Sequence, residues 1–210
     1  MVYFIGPRYI GDHLPSVDFV DFDLGSLRSV VQNSAGYSIT KRGVAAFTCG
    51  APLGLESVPK IVRWKAESDL SDFVTIHGAP VISEGIRSIV EEREPNVHQF
   101  LPVTLIDEDD RSRGMRFIWI VCNEVDSVDR TNTNLVLEKG VVWRSEYRTE
   151  HGRATVANPR LVLNLSQIGS VQFWRDRKLL PNGIYASDGA AEHILDTGFI
   201  GVGGSVLEAV

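Results

Sequence analysis

The chain has 210 residues, of which 43% are hydrophobic and 23% are charged, and this composition excludes a disordered protein. At 23.2 kDa it is long enough to bury a core without disulfides or a structural metal. Its formal net charge is −6, whereas proteins that bind nucleic acid usually carry a basic surface. We therefore expect no direct binding to nucleic acid.

The chain start has neither the basic region nor the apolar stretch of a secretory signal. The uncharged run Gly43 to Leu55 is too short to cross a bilayer. Cys49 and Cys122 lie far apart in the sequence, which favours reduced thiols over a disulfide framework or a zinc site. The sequence thus predicts a soluble cytoplasmic protein without membrane contact.

The first third of the chain gives weak periodic signals, because Gly, Pro and Asp interrupt it. Within it, Leu27–Gln32 favours a short helix and Lys60–Lys65 favours a strand. A loose boundary near Ala66–Ser71 divides the chain into two expected domains. These are an unassigned N-terminal subdomain, residues 1–70, and a core, residues 71–210.

Two segments have the apolar spacing of helices. The first follows Ser83 and ends before Pro95, and the second follows Ser187 and stops at Gly198. Each begins with Ser, an acidic residue and Gly, which suits a helix start, since the serine can cap the helix and the acid meets the positive end of its dipole. The shared opening also fits a faint internal duplication, but we favour helix capping as its cause.

Between these helices the sequence favours strands separated by turn residues. The predicted strands are Val97–Ile106, Met115–Val128, Asn134–Val142, Arg160–Leu165 and Val171–Trp174. Strands grouped in a block with hairpin-length links indicate an α+β fold. We expect a largely antiparallel mixed sheet flanked by a few short helices.

The sequence predicts no catalytic residue, no metal site and no cofactor. The glycines at 198, 201, 203 and 204 follow a helix instead of opening one, which favours a helix end and a flexible tail over a phosphate-binding loop. The five histidines (His13, His77, His98, His151 and His193) lack metal-ligand spacing. Ser83 and Ser187 fit caps better than nucleophiles, and residues 107–110 fit a solvated loop better than a calcium loop.

The tryptophans are scattered over different predicted elements. Trp119 lies within a long apolar run, which predicts a buried position in a central strand. Trp143 and Trp174 are each followed by an arginine. This pairing is common at protein interfaces, but we favour two sheet edges at which the arginine extends into solvent.

Acidic residues are concentrated in the first half of the chain. Residues 1–110 carry a charge of −7, and residues 111–210 carry +1. The densest run is Asp107, Glu108, Asp109 and Asp110, and it follows shortly after Glu91, Glu92 and Glu94. Such asymmetry bears on partners, and it fits a face for a basic partner and a solubilising surface equally well.

Three segments of the chain match the pattern of a known family in order and spacing. The first runs from Ser71-Asp72-Phe73 through Ser83-Glu84-Gly85 to Gln99-Phe100-Leu101-Pro102-Val103. The second is Asn123–Asp129 after a strand, and the third runs from Ile184 to Val202. Through these motifs residues 71–202 resemble the bacterial immunity-protein family named immunity protein eleven.

This resemblance implies a cytoplasmic antitoxin of a polymorphic toxin system, such as one served by type VI secretion. Its partner would be a cognate toxin domain, a nuclease or another cytotoxic enzyme, blocked by stoichiometric binding and not by catalysis. The family pattern supplies no toxin contacts, so the acidic residues named above (Asp107, Glu108, Asp109, Asp110, Glu91, Glu92 and Glu94) are the candidate toxin-binding residues on grounds of charge. The alternatives are a structural or adaptor subunit of a secretion-associated complex and a hydrolase that reverses toxin damage.

Overall fold

A computed structural model describes residues 1–8, 16–26, 28–33, 36–55, 58–65, 70–150, 152–176, 178–179 and 183–210. The strands, in chain order, are β1 (Val2–Pro7), β2 (Ser16–Phe19), β3 (Arg28–Asn33), β4 (Gly36–Arg42), β5 (Ile61–Lys65), β6 (Phe73–Ile76), β7 (Ala79–Ile82), β8 (Gln99–Ile106), β9 (Ser112–Ile120), β10 (Glu124–Val125), β11 (Val136–Glu138), β12 (Val142–Arg144), β13 (Glu146–Thr149), β14 (Gly152–Thr155), β15 (Val162–Leu163), β16 (Phe173–Asp176), β17 (Ile184–Ser187) and β18 (Val202–Ala209). The α-helices are α1 (Glu84–Arg93), α2 (Leu165–Ile168) and α3 (Asp188–Asp196), and 3-10 turns cover Leu24–Ser26 and Gly43–Thr48.

The strands form two six-stranded mixed sheets and three separate hairpins. Sheet I has the order β10-β16-β17-β1-β18-β15, and sheet II has the order β2-β5-β8-β9-β7-β6. The hairpins are β3–β4, β11–β12 and β13–β14. The molecule is therefore largely β with short helices, which agrees with the α+β prediction only in part.

Both sheets curl until their edges meet. In sheet I, Val128 forms an antiparallel bridge to Leu163, and the N–H of Asp129 donates to the carbonyl of Val162 at 2.8 Å. In sheet II, Nε2 of His77 donates to Oδ1 of Asp18 at 2.9 Å. Each sheet thereby becomes a barrel-like unit, which we call barrel I and barrel II after its sheet.

Three apolar cores follow from this arrangement. One core draws residues from all six strands of barrel II, and another draws residues from all six strands of barrel I. The third core lies between the barrels and combines residues of both sheets with Ile86 and Val90 of α1 and Ala190 and Ile194 of α3. The helices thus fill the junction between the barrels.

Both predicted helices are confirmed as α1 and α3, and their serines differ in detail from the expected caps. Ser83 and Ser187 have the extended backbone of an N-cap, but neither hydroxyl accepts a hydrogen bond from its helix. Instead, the Ser187 hydroxyl donates to Oε1 of Gln172 at 2.7 Å. The serines therefore mark the helix starts without capping them through their side chains.

Three local predictions are wrong. Residues 28–33 form strand β3 and not a helix, because they pair with β4. Gly203 and Gly204 lie inside β18, paired along β1, and not in a flexible tail. Trp174 and Arg175 lie in β16, an interior strand of sheet I, and Arg175 is only 2% exposed, so this pair is not at a sheet edge. Burial lowers the pKa of Arg175 to about 10.

The first 70 residues supply strands to both barrels. β1 lies between β17 and β18 in sheet I, whereas β2 and β5 lie in sheet II, with β5 between β2 and β8. Residues 66–69, at the expected domain boundary, lie outside the described residues. Both sheets are therefore assembled from residues on either side of that boundary.

Candidate functional site

The acidic candidates form two groups at opposite ends of β8. Asp107–Asp110 form the turn after β8, which we call the acidic turn. Glu91, Glu92 and Glu94 lie at the end of α1, from which the chain enters β8. Eight strand residues span roughly 25 Å, and salt screens charges beyond about 10 Å. The charges of the two groups are therefore screened from each other.

The acidic turn is held in shape by its own carboxylates. Oδ1 of Asp107 accepts from the N–H groups of Asp109 at 3.0 Å and of Arg111 at 2.9 Å. Asp110 pairs with Arg63 of β5. Glu108 is exposed and forms no ion pair with any described residue. Asp109 lies 3.5 Å from Nη2 of Arg111. The turn thus presents ordered negative charge to solvent, which two arginines partly balance.

At the end of α1 the charges are partly balanced. Arg87 contacts Oε2 of Glu91 at 2.9 Å, and its guanidinium lies 4.6 Å from the ring centroid of Phe117. This contact attaches α1 to β9 through a cation–π interaction. Glu92, on the solvent side of α1, has no ion pair in the described part of the chain. Of this group, Glu92 is the residue most available to a partner.

Glu94 differs from the other six candidates because it lies at the junction of the barrels. Its side chain is 10% exposed. Its oxygens accept from the N–H groups of Gln172 at 2.9 Å and Phe173 at 3.1 Å, from Nδ2 of Asn123 at 3.1 Å and from Nε2 of His98 at 2.8 Å. Burial alone would raise the pKa of Glu94, but these hydrogen bonds outweigh it and hold the pKa below its ordinary value.

His98 completes this junction and was assigned no role from the sequence. Its side chain is fully buried. Nδ1 accepts from the backbone N–H of Cys122 at 3.2 Å, so Nε2 must carry the proton that bonds Glu94. The ring also packs edge-on against Trp119 and Phe173. The only sequence signal is the short spacing of Glu94 and His98, which lie on either side of the turn at residues 95–97 that follows α1.

The other described histidines make no hydrogen bond to Glu94 or His98, and Cys122 contacts His98 only through its backbone N–H. His77 pairs with Asp18, and Nδ1 of His193 lies 3.4 Å from Nη2 of Arg93; His13 and His151 are outside the described residues. Both cysteines are free and half-buried, and burial raises the pKa of the Cys122 thiol to about 11. Within the described ranges, no group of three His, Cys, Asp or Glu residues could hold a metal ion.

A groove of about 700 Å³ lies between the hairpins β11–β12 and β13–β14. Its lining residues are Val136, Leu137, Glu138, Lys139, Arg144, Glu146, Tyr147 and Arg153. Nε of Arg144 contacts Oε2 of Glu138 at 2.9 Å, so part of the charge that lines the groove is balanced within it. No helix in the described part of the chain is long and apolar enough to span a membrane.

Comparison with known proteins identifies the family. Residues 28–203 match the Immunity protein family (Imm11), which covers most of the chain. No curated protein matches. The chain therefore belongs to the Imm11 immunity protein family, and the resemblance seen in the sequence motifs is confirmed. The match begins at residue 28, so the family pattern includes part of the segment before residue 71. Membership indicates an immunity function and implies a cognate toxin as partner.

Proposed function

We propose that this protein neutralises a cognate secreted bacterial toxin domain by binding it stoichiometrically in the cytoplasm, without turnover. The observation that carries the proposal is the family match over residues 28–203. An antitoxin must act at low concentration, which requires a Kd near or below 1 nM, about −12 kcal/mol. A standard interface uses about 800 Å² per partner. This is a small part of the 11499 Å² of accessible surface.

The acidic turn is the surface that we propose meets the toxin first. Its charges are exposed, ordered and grouped within one turn. A toxin that cleaves nucleic acid needs a basic cleft, and an opposing acidic surface accelerates encounter and fixes orientation. Glu91 and Glu92 form a second, weaker contact in this proposal. Glu94, the remaining candidate, supports binding by holding the two barrels together.

The first test is coexpression with the toxin domain encoded beside this gene. We expect the toxin domain alone to kill the cell and this protein to restore growth through a stable complex. The stoichiometry is measured by light scattering on the purified complex, and one-to-one is expected. Rescue without a detectable complex would support the hydrolase instead. Copurification with several proteins but not the toxin would support the adaptor role.

The second test reverses charge on the acidic turn. We expect Glu108→Lys with Asp109→Lys to slow association about tenfold at low ionic strength and to flatten its salt dependence, because the steering charge is lost. Asp107 is left intact, since it holds the turn. Stopped-flow measurements give the association rate constants.

The matched control changes the same number of charges elsewhere. Glu146→Lys with Glu150→Lys alters two exposed residues of the hairpin β13–β14. This control should associate nearly as fast as the unaltered protein. Glu92→Lys measures the second acidic group separately. If the acidic-turn variant and the control associate equally fast, the acidic turn is not the contact.

A further inference from the structure

Five strands of each barrel share one order and one set of strand directions. In sheet II these strands lie in the order β5-β8-β9-β7-β6. Their counterparts in sheet I lie in the order β15-β18-β1-β17-β16. β5–β8 and β15–β18 are parallel, and the other corresponding pairs are antiparallel. A helix follows β7 and another follows β17. Among these five strands the place in the chain differs for one, because β9 follows β8 whereas β1 precedes β2.

The registers of the three central strands agree, whereas the β16–β17 connection is four residues longer than the β6–β7 connection. The rows of partners across three neighbouring strands are Val81–Ile118–Leu101 in sheet II and Tyr185–Phe4–Ser205 in sheet I. Both Val81 to Tyr185 and Leu101 to Ser205 are separations of 104 positions. The helix and its connections therefore have equal lengths in the two barrels. Helix capping explains a shared Ser-acid-Gly opening, but it does not explain a shared register.

The closing strands β2 and β10 correspond in direction, although β2 forms its ladder with β5 and β10 forms its ladder with β16. Phe19 of β2 pairs antiparallel with Val62 of β5, and Val128, just after β10, pairs antiparallel with Leu163 of β15. Both β5 and β15 lie on the outer side of the strand that follows the helix. All six strands of one barrel thus have a counterpart in the other.

The barrels also meet through reciprocal contacts. At the end of α1, Glu94 accepts from the N–H of Gln172, just before β16. After α3, Ile200 exchanges two hydrogen bonds of 2.8 Å with Asp72, just before β6. Each helix end therefore binds the start of the other barrel's hairpin, as in a two-fold symmetric dimer.

We propose that the chain is a permuted tandem repeat, in which the N-terminal strand β1 fills a strand-binding slot between β17 and β18 and thereby completes the second repeat. The first repeat runs from β2 to β9, and the second runs from β10 to β18. The slot binds an extended peptide by pairing both of its edges and by burying Val2 and Ile5, each 1% exposed. The place of β1 thus depends on this slot and not on its connection to β2.

A permuted variant tests this placement with the whole sequence retained. It consists of residues 9–210, a copy of residues 107–114 as linker, and then residues 1–8. The linker length follows from the register, because Ile118 corresponds to Phe4 and Met115 therefore corresponds to Met1. We expect the variant to keep the urea midpoint and the amide exchange protection of β17 and β18 close to those of the native chain.

Two controls separate the slot from general stability. Residues 9–210 alone should lose protection in β17 and β18, because the slot is empty. The permuted variant with Ile5→Lys in the attached strand should behave like this truncated chain, because a charge enters a buried position. A second permuted variant with an eight-residue Gly/Ser linker guards against a poor linker sequence.

Protection restored by either linker supports the proposal. The proposal is overturned if both permuted variants are as unprotected as residues 9–210. It is also overturned if residues 9–210 alone are as stable as the native chain. None of these outcomes depends on toxin binding, so the result is independent of the proposed function.

Discussion

Glu94 shows how one side chain can look like surface and act as a connector. In the sequence it is the third glutamate of a charged helix end. In the structure its carboxylate accepts hydrogen bonds from His98, just after the turn that follows α1, and from Phe173 of β16. Hydrogen bonds to a charged acceptor are stronger than neutral ones, and their loss leaves buried donors without partners. Glu94 therefore links the two barrels through hydrogen bonds.

We expect Glu94→Gln to lower the free energy of unfolding at pH 7 by about 2 kcal/mol, because a charged acceptor becomes a neutral amide. The exposed Glu92→Gln on the same helix end should change it little. Urea unfolding at pH 7 measures both. Equal stability of the two variants would contradict the role assigned to Glu94.

The same variant should alter the response to acid. The pKa of Glu94 is lowered in the folded chain, so the unfolded chain takes up the proton first, near its ordinary value of about 4.3. The stabilisation is complete above that pH and is lost as pH falls through the lower folded value. Glu94→Gln should therefore lose less stability than the native chain between pH 6 and pH 3.

The helices α1 and α3 and the strand β8 follow from local pattern, whereas β3 and β18 do not. The apolar spacing after Ser83 and Ser187 predicts α1 and α3, and the run Val97–Ile106 predicts β8. The helix predicted for Leu27–Gln32 is wrong because the structure of residues 28–33 depends on pairing with β4, which local spacing does not encode. Pairing with another strand thus determines the secondary structure of segments whose local spacing does not predict it.

The glycines near the C-terminus show the same limit. They resemble a loose tail, yet Gly204 is paired in β18, and a Cβ at that position would lie 2.8 Å from Cδ1 of Leu195. Glycine is present there because α3 packs closely against the strand, not because the chain bends. The reason for glycine at this position is its place in the sheet, which the sequence does not show.

The candidate surface is predictable in part for a related reason. Charge density alone finds the acidic turn, because turns between long strands are exposed. It does not separate Glu92, exposed on α1, from Glu94, buried two residues later, since both lie in one charged run. That distinction requires the position of barrel I, whose backbone N–H groups at Gln172 and Phe173 donate to Glu94.

The three cores bear on how the molecule unfolds. The middle core takes residues from both sheets and both long helices, so neither barrel can lose its packing without exposing apolar surface of the other. Glu94 and Asp72 add polar contacts across the same junction. Two barrels coupled in this way should unfold together despite their separate interiors.

We therefore expect one unfolding transition, shifted equally by matched changes in either barrel. Leu101 lies in the core of barrel II and Leu163 in that of barrel I, with 4% and 0% exposure. Each substitution to alanine should cost about 2–5 kcal/mol. Circular dichroism and tryptophan fluorescence should then give coincident urea curves for both variants, because the shared core couples the barrels. A second transition, moved by only one of the substitutions, would show that each barrel unfolds alone and that the middle core does not join them.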